Sequence, residues 1–172
     1  MTEVTTVLLG DDGDIPNNPT LPLLVYKAAA RPGADGDAED ALEALFAANG
    51  WGNGWRGGVI YSFHHYHAQA HEVVGVGRGR ARIRFGGPAG PVLEVEAGDA
   101  VLIPAGVAHC RVDDDPALSV VAAYPPGQQP DMRREGEAQP ALMRELVAGV
   151  GLPARDPVLG ANGGTATHWR SA

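Results

Sequence analysis

His64-His65-Tyr66-His67-Ala68-Gln69-Ala70-His71-Glu72 holds four of the chain's six histidines and closes on a carboxylate. Upstream, Val59-Ile60-Tyr61-Ser62-Phe63 is β-branched and aromatic, which predicts a strand running into the histidines. Side chains at i and i+2 of a strand share a face. His65 and His67 are therefore expected to look the same way as Val59, Tyr61 and Phe63, with His64 and Tyr66 on the other side. Two imidazoles at the end of an apolar face are poorly accommodated unless something binds their nitrogens, and a divalent metal does that.

An HxH pair alone is a weak signal, since many such pairs are ordinary surface or core histidines. Here Glu72 follows His67 after four residues, and Gly79 follows Glu72 after six. A second block reads Gly98-Asp99-Ala100-Val101-Leu102-Ile103-Pro104-Ala105-Gly106-Val107-Ala108-His109: a short apolar strand, a Pro-x-Gly turn and a further histidine.

These two blocks resemble the paired signatures of the cupin superfamily: HxH, four residues, Glu, six residues, Gly, and then Gly, five residues, Pro-x-Gly, two residues, His. The resemblance implies an all-β fold, a cupin jelly-roll β-barrel with one or two short peripheral helices. It also implies a metal held inside the barrel by His65, His67, Glu72 and His109. Two positions depart from the pattern: Asp113 stands where asparagine is frequent, and Gly58 lies seven residues before His65, one out of place. Neither is a ligand position. Asp11-Asp12-Gly13-Asp14-Ile15-Pro16-Asn17-Asn18-Pro19, Leu21-Pro22-Leu23-Leu24-Val25-Tyr26-Lys27, Ala123-Tyr124-Pro125-Pro126-Gly127-Gln128 and Asp156-Pro157-Val158-Leu159-Gly160 extend the resemblance, over nearly the whole chain, to the YjlB-type bacterial single-domain cupins. That group transfers fold and ligands but no assigned reaction.

A chain of 172 residues suits one domain, 1–172, with a barrel core over about 56–125, N-terminal strands and a helix before it, and a helix and tail over 126–172. Aromatics at 6% with 24 glycines and 14 prolines favour a β-barrel with tight turns over a helical bundle. A net charge of −8 argues against nucleic acid or an anionic membrane as partner. Cys110, the single cysteine, excludes an internal disulfide and a thiolate zinc site. No apolar run reaches the roughly 20 residues of a membrane span, and the N-terminus lacks a secretory pattern, so a cytoplasmic location is expected.

Val4 to Leu9 and Leu21 to Ala28 read as strands, the second with Leu23, Val25 and Lys27 opposite Leu24 and Tyr26. The acidic stretch between them lacks the terminal glutamate of a calcium loop and reads as a turn. Asp37 or Asp40 is placed to cap a helix over Ala41 to Asn49 with Leu42, Leu45 and Phe46 inward. Gly50-Trp51-Gly52-Asn53-Gly54-Trp55-Arg56-Gly57-Gly58 reads as a flexible approach whose tryptophans cover a barrel mouth or a partner subunit. Alternation over Gly79 to Glu96 predicts a hairpin pairing Arg82 with Glu94 and Arg80 with Glu96. Leu118 to Tyr124 is a last strand, Pro140 to Val147 a helix, and Gly151 to Ala172 a tail draped over the surface.

Three imidazoles and a carboxylate leave two adjacent positions of an octahedral Fe(II), Mn(II), Ni(II) or Zn(II) ion open for oxygen, water or a bidentate substrate. Glu72 is also a candidate general base, and His71 an alternative ligand or a partner to one. Tyr61 and Phe63, with Val59, Val74 and Val76, predict an apolar lining suited to a small organic molecule. Arg111 is placed by alternation to anchor a substrate carboxylate, to pair with Asp113, or to lie beyond the rim. Two functions follow: a metal-dependent enzyme of dioxygenase type, or a non-catalytic metal- or small-molecule-binding module. The family resemblance, the Trp-rich segment and the apolar N-terminal strands together suggest a homodimer.

Overall fold

A computed structural model describes residues 2–113, 115–137 and 139–170. In chain order its elements are β1 Glu3–Leu9, β2 Asn18–Lys27, α1 Glu39–Ala48, β3 Gly52–Gly57, β4 His65–Tyr66, β5 Glu72–Arg78, β6 Arg80–Phe85, β7 Val92–Glu96, β8 Ala100–Ile103, β9 His109–Arg111, β10 Ser119–Tyr124, β11 Arg133–Arg134, α2 Pro140–Ala148 and α3 Gly164–His168. The strands form a six-stranded sheet, β1-β2-β8-β5-β10-β3, and a five-stranded sheet, β11-β4-β9-β6-β7. Their pairings are antiparallel, and the two layers make the expected jelly roll. Among the described residues no strand is shared between the layers, so it is a sandwich with open edges rather than a closed barrel.

The central strands of the larger sheet, β2, β8, β5 and β10, are buried on both faces, which is why they read as nearly continuous hydrophobic runs. Leu23, Val25, Val74, Val101, Ile103 and Val120 point inward, against Ile83 and Phe85 of the smaller sheet. Their neighbours Leu24, Tyr26, Val73, Leu102 and Val121 point outward and are just as buried. Burying such a side chain is worth about 1.5–3 kcal/mol, so the outer face demands a cover. Helix α1 supplies part of it through Leu42 and Phe46. A Cβ on Gly75 would meet Leu42 at 3.0 Å and Phe46 at 3.1 Å, so any larger residue there would make both side chains of the helix shift. The helix begins at Glu39, earlier than expected, and Asp37 accepts the Glu39 N–H at 2.7 Å.

The C-terminal segment supplies the rest, which corrects the expectation of a surface-draped tail. Trp169 is buried against the outer face and donates to the Pro22 carbonyl at 2.8 Å. Asp156, fully buried, accepts hydrogen bonds from the Tyr26 hydroxyl and the amides of Val158, Leu159 and Thr165. A carboxylate in an apolar layer is tolerated only when its lone pairs are occupied in this way.

Two further expectations change. The Gly- and Trp-rich segment is not a loose approach, for Gly52–Gly57 is an edge strand paired with β10. Trp51 turns away from any mouth, into the outer layer, and donates to the Arg155 carbonyl at 2.9 Å. Val59–Phe63 is not a strand. It crosses an open end of the sandwich, tied there by the Arg111 amide donating to the Tyr61 carbonyl at 2.9 Å. The predicted hairpin register is the one observed, with Arg80 opposite Glu96 and Arg82 opposite Glu94. Arg82 reaches Asp113 at 3.2 Å. Among the described residues no helix is long and apolar enough to cross a membrane.

Replacing Asp156 with alanine leaves a buried hydroxyl and three amides without their acceptor, and should cost about 3 kcal/mol of stability. Urea unfolding checks this; a change below about 0.5 kcal/mol would contradict the anchoring role of Asp156.

Candidate metal centre

The two sheets meet chemically at one end of the sandwich. His65 on β4 and His109 on β9 are register partners in the smaller sheet, and their rings lie 4.1 Å apart between centroids. His67 follows one residue beyond β4. Glu72 opens β5 in the larger sheet and points inward toward them. The loop between His67 and Glu72 is held by the Asp131 carboxylate, which accepts the Ala68 and Gln69 amides at 2.9 and 3.0 Å, and by Gln128, which accepts the His71 amide at 3.0 Å.

His67 Nε2 lies 3.1 Å and His109 Nε2 3.4 Å from Glu72 Oε2. Donor atoms of these three residues all fall within 4.8 Å of one another, a candidate site for a metal ion. His65 borders this trio rather than joining it, its ring 6.2 Å from that of His67. The Nδ1 atoms of His65 and His109 face the carbonyls of Phe63 and Val107 at 3.1 and 3.3 Å, and Nδ1 of His67 faces the Asp131 carbonyl. A carbonyl only accepts, so each contact puts a proton on Nδ1 and leaves Nε2 as the metal-binding nitrogen. The donor set, imidazole nitrogen and carboxylate oxygen without sulfur, fits a divalent transition metal.

Glu72 is 2% exposed. Burial alone would favour its neutral form, but the imidazoles of His67 and His109 outweigh burial and hold the carboxyl below its ordinary range. Burial likewise opposes a charged His67; the Glu72 carboxylate overcomes this and lifts His67 to about 9. His65, desolvated and beside His109, is pushed down to about 3. The other Glu72 oxygen, Oε1, accepts from the Tyr124 hydroxyl at 3.0 Å, and that hydroxyl accepts from the Trp55 indole at 3.1 Å.

These groups line the end of a cavity of about 420 Å³ whose walls include Ile60, Val74, Ile83, Phe85, Val101 and Ile103. Tyr61 lines it and is 47% exposed at the mouth. Phe63 stacks on Tyr61 at 4.8 Å and meets His65 edge-on, and the Arg134 guanidinium lies over its ring, 3.9 Å from the centroid. Neither Phe63, Val76 nor Arg111 is among the lining residues. His71 faces away, as regular alternation requires. Its Nδ1 accepts the Ala105 amide at 2.9 Å, its Nε2 donates to the Gly151 carbonyl at 3.2 Å, and its ring packs on Trp169. Burial lowers it to about 4, and it does not replace Glu72. Trp55 lines the cavity as a tryptophan expected to cover a mouth, and Tyr124 is the site residue that sequence reasoning missed. Alternation of Val120, Ala122 and Tyr124 along the last strand was the available signal.

No protein-family model matches the chain. It is 39% identical over 160 residues to the uncharacterized protein YjlB of Bacillus subtilis (strain 168), covering 92% of each chain. Among solved structures, an acireductone dioxygenase from Bacillus anthracis, with a cadmium ion in its active centre, shares 16% identity at a TM-score of 0.41, over 59% of this chain and 77% of that one. A DMSP lyase shares 22% identity at 0.36, over 69% of this chain and 45% of that one. A double-stranded β-helix protein from Klebsiella pneumoniae shares 15% at 0.36, over 76% and 91%. TM-scores below 0.5 transfer nothing about activity.

Below about pH 9 His67 carries a second ring proton, on Nε2, which must leave before that nitrogen can bind a metal. Metal affinity should therefore climb as pH rises toward that value, with about one proton released from His67 per ion at pH near 7.5. Calorimetry in buffers of different ionisation enthalpy measures this; a pH-independent affinity without proton release would contradict it.

Proposed function

The chain belongs to the YjlB family of cupins, and on that footing we propose that it is a metal-dependent enzyme of dioxygenase type acting on a small organic molecule. The observation that carries the reading is the convergence of His67 Nε2, His109 Nε2 and Glu72 Oε2 at the buried end of an apolar cavity. His65, His67, Glu72 and His109 would hold one ion of Fe, Mn, Ni or Zn. Such an ion, when bound, supplies Lewis-acid polarisation of an oxygen donor and, for iron or manganese, a one-electron redox centre.

The chain's own residues do the rest. Tyr124 fixes the Glu72 carboxylate through Oε1, so Oε2 keeps its aim toward the histidines; Glu72 would act as a base toward a bound substrate only on leaving the ion. The carbonyls of Phe63, Val107 and Asp131 fix the ring orientations, so little rearrangement is needed on binding. The aliphatic walls lower the local dielectric, which strengthens the charge interactions at the inner end.

Protein loaded with Fe(II) should consume oxygen when presented with a panel of diketones and phenols. Glu72→Ala and His67→Ala should each lower that rate by about a hundredfold or more, and His109→Ala should lower metal content as well. An oxygen electrode and elemental analysis provide the readouts. Absence of turnover with all four metals, together with ligand-induced thermal stabilisation, would overturn the enzyme reading in favour of a non-catalytic binding module.

A further inference from the structure

We infer that the cavity takes a singly charged anion offering two adjacent oxygen donors on an otherwise apolar body, and rejects ligands that carry a second charge or several hydroxyls. The inference rests on the reading of the site as a metal centre and goes on to name its ligand class.

Three observations carry it. First, the described lining residues include no lysine, arginine or aspartate; Glu72 is the one carboxylate among them. A divalent ion balanced by Glu72 alone leaves one positive charge in a low-dielectric enclosure, which one anionic charge neutralises and two would overshoot. Second, the polar side chains deep in the walls other than the histidines are already committed, and the Tyr61 hydroxyl belongs to a ring 47% exposed at the mouth. The Tyr124 proton goes to Glu72 and the Trp55 N–H to Tyr124. A ligand hydroxyl or distal carboxylate would therefore be desolvated among Ile60, Val74, Val101 and Ile103 without a side-chain donor to meet it. Third, the mouth is edged by Trp55, Val59, Tyr61 and Met132, each 40–53% exposed. An apolar body reaching outward from the metal would cover these groups, whereas a charged tail would have to pass them.

The discriminating probes share a chelating head and differ at the far end. Butyrylacetone ends in a methyl group where succinylacetone carries a carboxylate, and methyl pentyl ketone retains the apolar body without the second oxygen. Each is titrated into Co(II)-loaded protein, with the visible cobalt spectrum and calorimetry as readouts. Butyrylacetone should bind at least about tenfold more tightly than either alternative. Met132→Lys, which places a cation at the exposed mouth, should reduce the preference over succinylacetone severalfold without changing cobalt content. Equal or tighter binding of succinylacetone, or of methyl pentyl ketone, overturns the inference while leaving the metal centre intact. Failure of the protein to take up cobalt, by elemental analysis, overturns the metal reading and this inference with it.

Discussion

A carboxylate buried to 2% exposure in an aliphatic pocket cannot stand without positive partners, and the surroundings of Glu72 are organised to provide them. Removing a charge of this kind from water costs several kcal/mol, which only close, well-oriented partners repay. Glu72 has His67 and His109 on one oxygen and the Tyr124 hydroxyl on the other. In the absence of an ion, a proton on His67 plays the neutralising part. A divalent cation bound at the same nitrogens plays it more strongly, so the arrangement that stabilises the bare protein also prepares it for metal.

The fold makes that arrangement possible by bringing the histidines from one sheet and the carboxylate from the other. Glu72 lies at the first position of β5, and the inward run it begins continues through Val74 and Val76 into the core. Its immediate neighbours, His71 and Val73, point outward, where His71 is pinned between the Ala105 amide, the Gly151 carbonyl and the Trp169 ring. The outer layer of helix and tail is thus mechanically continuous with the strand that carries the carboxylate. Asp131 performs the corresponding task on the histidine side, where its carbonyl orients the His67 ring and its carboxylate ties down the following turn.

The parts legible in the sequence were those set by short-range spacing. The two signature blocks pointed to His65, His67, Glu72 and His109, although the tightest donor cluster contains only the last three. Strict alternation fixed the hairpin register and the two faces of β2. Alternation misled at Val59–Phe63, because a run of β-branched and aromatic residues forms a strand only where a neighbouring edge accepts it, and here the segment spans an open end. What could not be read were contacts over long separations. Tyr124 meets Glu72 across 52 positions, and Asp156 meets Tyr26 across 130. The Gly- and Pro-rich composition of the tail concealed that anchor, since its order comes from one buried carboxylate and one tryptophan rather than from a periodic apolar pattern.

The central claim is that imidazoles from the smaller sheet and a carboxylate from the larger one converge on a single cation. X-ray absorption spectroscopy of protein loaded with one equivalent of Zn(II) tests it most directly. The expected spectrum has a first shell of nitrogen and oxygen, the outer-shell scattering of at least two imidazoles, and no sulfur. A shell containing the Cys110 sulfur, or one lacking imidazole scattering, would contradict it.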